Sequence, residues 1–215
     1  MKILTLIMKI LISAAFILGS TVLAENHRLK QKITVFGNEV ILPMSAWQAA
    51  EYAEYKRTQS NGPLFRTHRQ QKNRQFILEQ VPMNQTFKDW TSLSAILAIF
   101  HPDEKHLTAK HFAYSNKMFF RKSCNFYQYM EIPVSTKTSE GYIITLFCEK
   151  INHTNDGEIM VKFITTTPNQ TTIQAYTEWK GSAFNVLDQK TWPVSWSTIT
   201  GQIKRYQQVE VYTKE

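Results

Sequence analysis

The chain has 215 residues and a formal charge of +8, with 43% of its residues apolar. That length supports one domain with a real core and leaves too little for two comfortable ones. The basic excess favours contact with acidic surfaces over acidic-tail chemistry, and seven glycines leave little room for a phosphate-cradling loop.

The first 24 residues read as an export leader. Lys2 and Lys9 give a charged start, Ile10 to Leu18 a short apolar core, and Val22-Leu23-Ala24 a small-residue cleavage site. Lys9 interrupts the apolar run well short of the roughly 20 residues a bilayer span needs, so cleavage after Ala24 is expected ahead of a retained anchor. The mature chain, 25–215, is then a single domain in the periplasm or the medium. Only two of the 25 basic residues lie in the leader, so the positive balance survives its removal.

After the leader, Ile33 to Leu42 reads as a short strand pair around Gly37-Asn38. Ser45 and Gln48 stand in capping-box positions for a helix whose face is Ala46, Ala49, Ala50 and Ala53, ended by Ser60-Asn61-Gly62-Pro63. Between Glu54 and Glu79 come Lys56, Arg57, Arg66, Arg69, Lys72 and Arg74, with His68 and no carboxylate. This run is either a solvated loop or strand edge, or a docking surface for an anionic partner whose contacts salt would screen. Arg74 to Val81 is extended, with Phe76, Leu78 and Gln80 on one face and Ile77, Glu79 and Val81 on the other. Trp90 to Phe100 fits a buried helix or a two-sided strand; strand is the reading taken, after one helical turn at Thr86 to Asp89.

Pro102-Asp103-Glu104 is expected to open a long helix closing at Arg121-Lys122, which matches the helix dipole. Its core stripe would be Ala109, Phe112, Ala113, Phe119 and Phe120. A meander of strands follows, its turns marked by Ser139-Glu140-Gly141, Asn155-Asp156-Gly157 and Thr167-Pro168-Asn169. Ser195 can cap a last helix with Trp196, Ile199, Ile203 and Tyr206 as its apolar face. The fold class is therefore α+β: a largely antiparallel sheet packed on one face by the long central helix and the C-terminal helix.

Two cysteines in an exported domain predict a disulfide between Cys124 and Cys148. A hairpin centred near Thr136 would set these two directly opposite each other, within bonding reach. A catalytic thiolate lacks a local signature, and the pair lacks metal-ligand spacing.

His101, His106 and His111 recur every five residues, and five helical steps leave neighbours about 140° apart, so they cannot converge on one ion. Without nucleophile elbow, zinc helix or glycine loop, no catalytic residue, metal site or cofactor is assigned. Glu79, Asp89, Glu131, Glu149, Glu158 and Glu178 remain able to pair across strands as a carboxylate enzyme would require. Lys117 to Tyr129 mixes cations with aromatic rings, a composition able to stack bases; export argues for a helix end and a strand burying those rings, and against nucleic acid.

Glu79-Gln-Val-Pro82, Gln85, Asp89-Trp90-Thr91, the two cysteines and Trp179-Lys180 together resemble a group of small exported bacterial proteins with no established activity. The resemblance spans roughly residues 74 to 181. It implies a secreted or periplasmic α+β domain with a disulfide and assigns no catalytic residue. The leading expectation is an exported, non-enzymatic protein that binds an envelope component, a protein or a membrane surface through Lys56 to Arg74. An exported hydrolase with paired carboxylates, or a secreted effector acting on a host, are the alternatives.

Overall fold

A computed structural model describes residues 29–214, so the expected leader, 1–24, lies outside the described residues. In chain order the elements are β1 (Lys30–Val35), β2 (Asn38–Pro43), α1 (Ala46–Thr58), β3 (Arg66–Lys72), β4 (Gln75–Val81), β5 (Ser92–Phe100), α2 (Ala109–Ser123), β6 (Tyr127–Ser135), β7 (Glu140–Cys148), β8 (Asp156–Thr166), β9 (Thr171–Ser182), α3 (Trp196–Tyr206) and β10 (Glu210–Thr213). The fold is α+β. A seven-stranded antiparallel sheet runs β3-β4-β5-β9-β8-β7-β6, and a three-stranded one runs β1-β2-β10.

Composition along β7 and β8 explains the layering. From Ile143 to Cys148 and from Ile159 to Thr165 every residue is buried, as befits strands covered on both faces. Alternation sends Ile143, Phe147, Ile159, Val161 and Phe163 to one face, against Ile199 and Tyr206 of α3 and the small sheet's Val35, Val40 and Leu42. Ile144, Leu146, Cys148, Met160 and Ile164 turn to the other, against Ala109, Ala113 and Phe120 of α2. Burying each large apolar side chain contributes about 1.5–3 kcal/mol. The two helices thus lie on opposite faces, which corrects the expectation that they share one: neighbouring residues such as Ile143 and Ile144 are both apolar, and each face needs its own cover.

Local chemistry sets the ends. Phe36 and Gly37, both with positive φ, make the two-residue turn of the β1–β2 hairpin, and Asn38 opens β2 rather than sitting in the turn. Ser45 and Gln48 form the expected capping box. The expected alanine face of α1 is only partly used: Ala49 is buried but Ala50 and Ala53 are exposed. Methyl groups offer little to a core, and polar contacts hold this helix instead, with Gln48 Nε2 donating to Gln80 Oε1 at 2.7 Å and Ser94 Oγ to Ser45 Oγ at 3.1 Å.

α2 starts at Ala109, later than Pro102-Asp103-Glu104 suggested. Those residues form turns, and Asp103 accepts from Arg74 at 3.0 Å; Thr108 caps the helix, its N–H donating to His111 Nδ1 at 3.3 Å. Arg121 and Lys122 do occupy the last turn. Residues 86–89 form a bend closed by reciprocal backbone bonds between Thr86 and Asp89, not a helical turn.

The disulfide joins Cys124 and Cys148, with Cα atoms 5.5 Å apart, but not as a facing strand pair. Tyr127 faces Cys148, while Cys124 caps α2 and bridges to Ile151. The register moved because the β6–β7 turn closes between Thr136 and Ser139, where Thr136 Oγ1 accepts from Ser139 N at 3.0 Å. The bond therefore ties the end of α2 to the end of β7. With its ends 24 positions apart in sequence, it stabilises the fold by about 3 kcal/mol. Replacing both cysteines by serine is expected to lower the unfolding free energy in urea by about that amount; an unchanged midpoint would contradict this role.

Candidate functional site

The six cations of the sequence-marked stretch are spread over three elements. Lys56 and Arg57 lie in the last turn of α1, Arg66, Arg69 and Lys72 on β3, and Arg74 in the β3–β4 turn. β3 is an edge strand, and all seven of its residues are exposed. Three cations already have partners: Arg57 with Glu54 at 2.5 Å, Arg74 with Asp103, and Arg66, whose Nε donates to Gln85 O at 2.8 Å. Arg69 lies 5.2 Å over the Phe76 ring on the α3 face, while Arg66, His68 and Lys72 alternate toward the α2 face. The structure thus sets the β3 cations along one edge but on both faces of the strand, with the α1 pair on a separate element.

A second cluster was not assembled by sequence reasoning. Register places His68, Glu79, Ala95, Tyr176, Lys162, Ile144 and Glu131 in one row across the α2 face of the sheet. In the neighbouring rows Glu178 faces Met160, and Glu158 faces Lys180. Lys162 is buried; its Nζ donates to Asn116 Oδ1 of α2 at 2.7 Å and sits 4.4 Å over the Tyr176 ring.

Burial sets the charges here. It lowers the Lys162 ammonium to about 8 against the pull of Glu178 and Glu158. It raises Glu158 to about 7, opposed by Lys162 and Lys180, and lifts Glu178 well above the carboxylate range, helped by Glu158. The legible signal was one lysine inside Ile159-Met-Val-Lys-Phe-Ile164.

Of the six acids considered for pairing, Glu79, Glu131, Glu158 and Glu178 share this face, Glu131 at its β6 edge, where it accepts from Tyr129; Glu149 Oε1 accepts from Val186 N at 2.7 Å. Asp89 stays in the loop before β5. A groove of about 870 Å³ lies elsewhere, between the start of α2 and the β6–β7 and β8–β9 turns, lined by Lys105, Lys110, Glu140, Tyr142 and Gln170 among others. His101 is buried with Nε2 2.8 Å from Thr172 Oγ1, whereas His106 and His111 are exposed. Among the described residues no group of three metal-binding side chains assembles.

Four of the residues quoted for the sequence resemblance, Gln85, Trp90, Thr91 and Lys180, meet in space. Gln85 Oε1 accepts from Thr91 N at 2.8 Å, Lys180 N donates to Thr91 O at 3.0 Å, and Lys180 Nζ lies 5.0 Å over the Trp90 ring. They fasten the β4–β5 loop to β9.

The chain matches no known protein family and no curated protein. Among solved structures it is similar to the Ran-binding protein Mog1p of Saccharomyces cerevisiae, at 6% identity and a TM-score of 0.41, over 86% of this chain and 95% of that one. A point mutant of Mog1 gives 6% identity and a TM-score of 0.42, over 87% of this chain and 97% of the other. Ran binding is a property of that protein, and a likeness at this level does not bear on what this chain binds.

The acid–lysine cluster has a readable pH signature. Carboxylates whose folded pKa is raised bind more protons folded than unfolded, so their contribution to stability is largest at low pH and falls as pH climbs from the ordinary carboxylate range through about 7 for Glu158. Glu158→Gln and Glu178→Gln are expected to flatten the decline of Tm across that window, with a larger gain at pH 7.5 than at pH 5. Parallel Tm profiles for variants and wild type would contradict the assignment.

Proposed function

We propose that the protein is an exported, non-enzymatic binding module, working in the periplasm or the medium, that recognises an anionic partner along the exposed edge strand β3. The observation that carries this reading is the edge strand itself: seven consecutive exposed residues with Arg66, Arg69 and Lys72 and no carboxylate among them. An unpaired edge offers backbone donors and acceptors to an extended partner, and alternating side chains supply selectivity. Self-pairing is disfavoured, because an antiparallel copy centred on Arg69 would oppose Arg66 to Lys72 and Arg69 to itself. The leader pattern and the disulfide support export. Among the described residues no helix is long and apolar enough to cross a membrane.

One observation favours a second reading, an exported hydrolase: Glu158 and Glu178 are both raised beside Lys162. Its mark would be loss of polymer hydrolysis in Glu178→Gln.

Arg69 and Lys72 discriminate best, since Arg66 also holds the β4–β5 loop and Arg74 is ion-paired. Arg69→Glu combined with Lys72→Glu is expected to abolish association with the envelope fraction, and wild-type association is expected to weaken as salt rises. Salt-insensitive association that the double reversal leaves unchanged would overturn the reading.

A further inference from the structure

The outward side of α2 presents a different surface. From Lys105 to Met130 the chain carries Lys105, Lys110, Lys117, Arg121 and Lys122 and no carboxylate. α2 spends Ala109, Ala113 and Phe120 on the sheet. Opposite them, at helical spacing, stand His111, Met118 and Lys122, with Lys110, Tyr114 and Arg121 on one flank of that face and Phe119 on the other.

Three large rings that a core would ordinarily claim are in water here: Tyr114 is 61% exposed, Phe119 65% and Phe126 50%. Both phenylalanines depart from expectation, which had Phe119 in the core stripe and Phe126 in a buried strand. They flank the Arg121-Lys122 pair in sequence.

This end of the helix is held firmly. Cys124 is bonded to Cys148, Asn152 Nδ2 donates to Lys122 O at 2.9 Å, and Asn125 N donates to Lys150 O at 3.0 Å. Rings and cations are therefore presented from a fixed platform, with little ordering left to do on contact.

We infer that the outward face of α2, continued to Phe126, docks on a bilayer surface rich in anionic phospholipid. Cations are drawn to the negative headgroup layer, each contributing about fivefold in affinity, and exposed aromatic rings seat at the boundary between headgroups and acyl chains. A helix face is convex and suits a flat membrane. A single-stranded nucleic acid would need a groove with stacking rings along its floor. This surface lies across the sheet from β3 and goes beyond the anionic-partner reading above; either can fail without the other.

The test is cosedimentation of the chain from Glu25, which retains every described element, with extruded vesicles of phosphatidylcholine alone or mixed equally with phosphatidylglycerol, at low salt. Binding to the mixed vesicles and not to the neutral ones is expected. Lys110→Glu, Arg121→Glu and Lys122→Glu together should weaken it more than about tenfold. Phe119→Ala with Phe126→Ala should weaken it several-fold, and Arg121→Lys, which keeps the charge, should bind like wild type. All these positions except Phe119 and Phe126 are solvated polar sites, and an unchanged Tm checks folding of each variant. Arg69→Glu with Lys72→Glu should leave vesicle binding intact. Equal binding to neutral vesicles, a triple reversal that binds like wild type, or preference for a single-stranded oligonucleotide over vesicles would overturn the inference.

Discussion

Double-sided burial of β7 and β8 is the constraint from which the rest of the structure follows. Strands that are apolar on both faces cannot leave either face to water, so the chain must supply two covers. α3 and the small sheet close one face, and α2 closes the other. The disulfide fastens the second cover at its far end, where the helix hands over to the next strand. Lys162, the charge set in the middle of this core, is tolerated because Asn116 and the Tyr176 ring receive it and carboxylates stand nearby.

The same arrangement leaves parts of the molecule available. α2 reaches over β6, β7 and β8 and stops short of β3, β4 and β5. On that side the β4–β5 loop packs Phe87 and Trp90 against Val81, Leu93 and Ala95, and beyond it β3 is an exposed edge. β3 buries none of its own residues; Arg66 holds the β4–β5 loop, which leaves Arg69 and Lys72 for solubility, edge protection or the proposed partner. On the helix the logic is parallel: once Ala109, Ala113 and Phe120 meet the sheet, Tyr114 and Phe119 are left in water among cations.

Much of this was legible in the sequence because it rests on local rules. The Ser45–Gln48 box, the Ser195 cap, the alternation of Ile159, Val161 and Phe163, and strand character from Ser92 to Phe100 all come from spacing and capping chemistry. What was lost depends on long-range registry. The turn at Thr136 to Ser139 shifted the β6–β7 pairing, so the disulfide was expected with the right partners and the wrong geometry. Choosing a face for each helix required knowing that two adjacent apolar residues both needed cover. The acid–lysine cluster was illegible for a similar reason: Lys162, Tyr176 and Glu79 lie on three strands, and only the sheet order makes them neighbours. Phe119 fitted a helical stripe by period, but the buried stripe is centred on Ala109, Ala113 and Phe120, which turns Phe119 outward.

Native-state hydrogen exchange tests the central claim most directly, because it ranks strands by the free energy needed to expose each amide. If the doubly covered strands hold the fold together and β3 is a free edge, the amides of β8 exchange only through global unfolding. Those of β3 that point outward then exchange faster by orders of magnitude. Protection along β3 equal to that along β8, or rapid exchange within β8 while α2 and α3 stay protected, would contradict it.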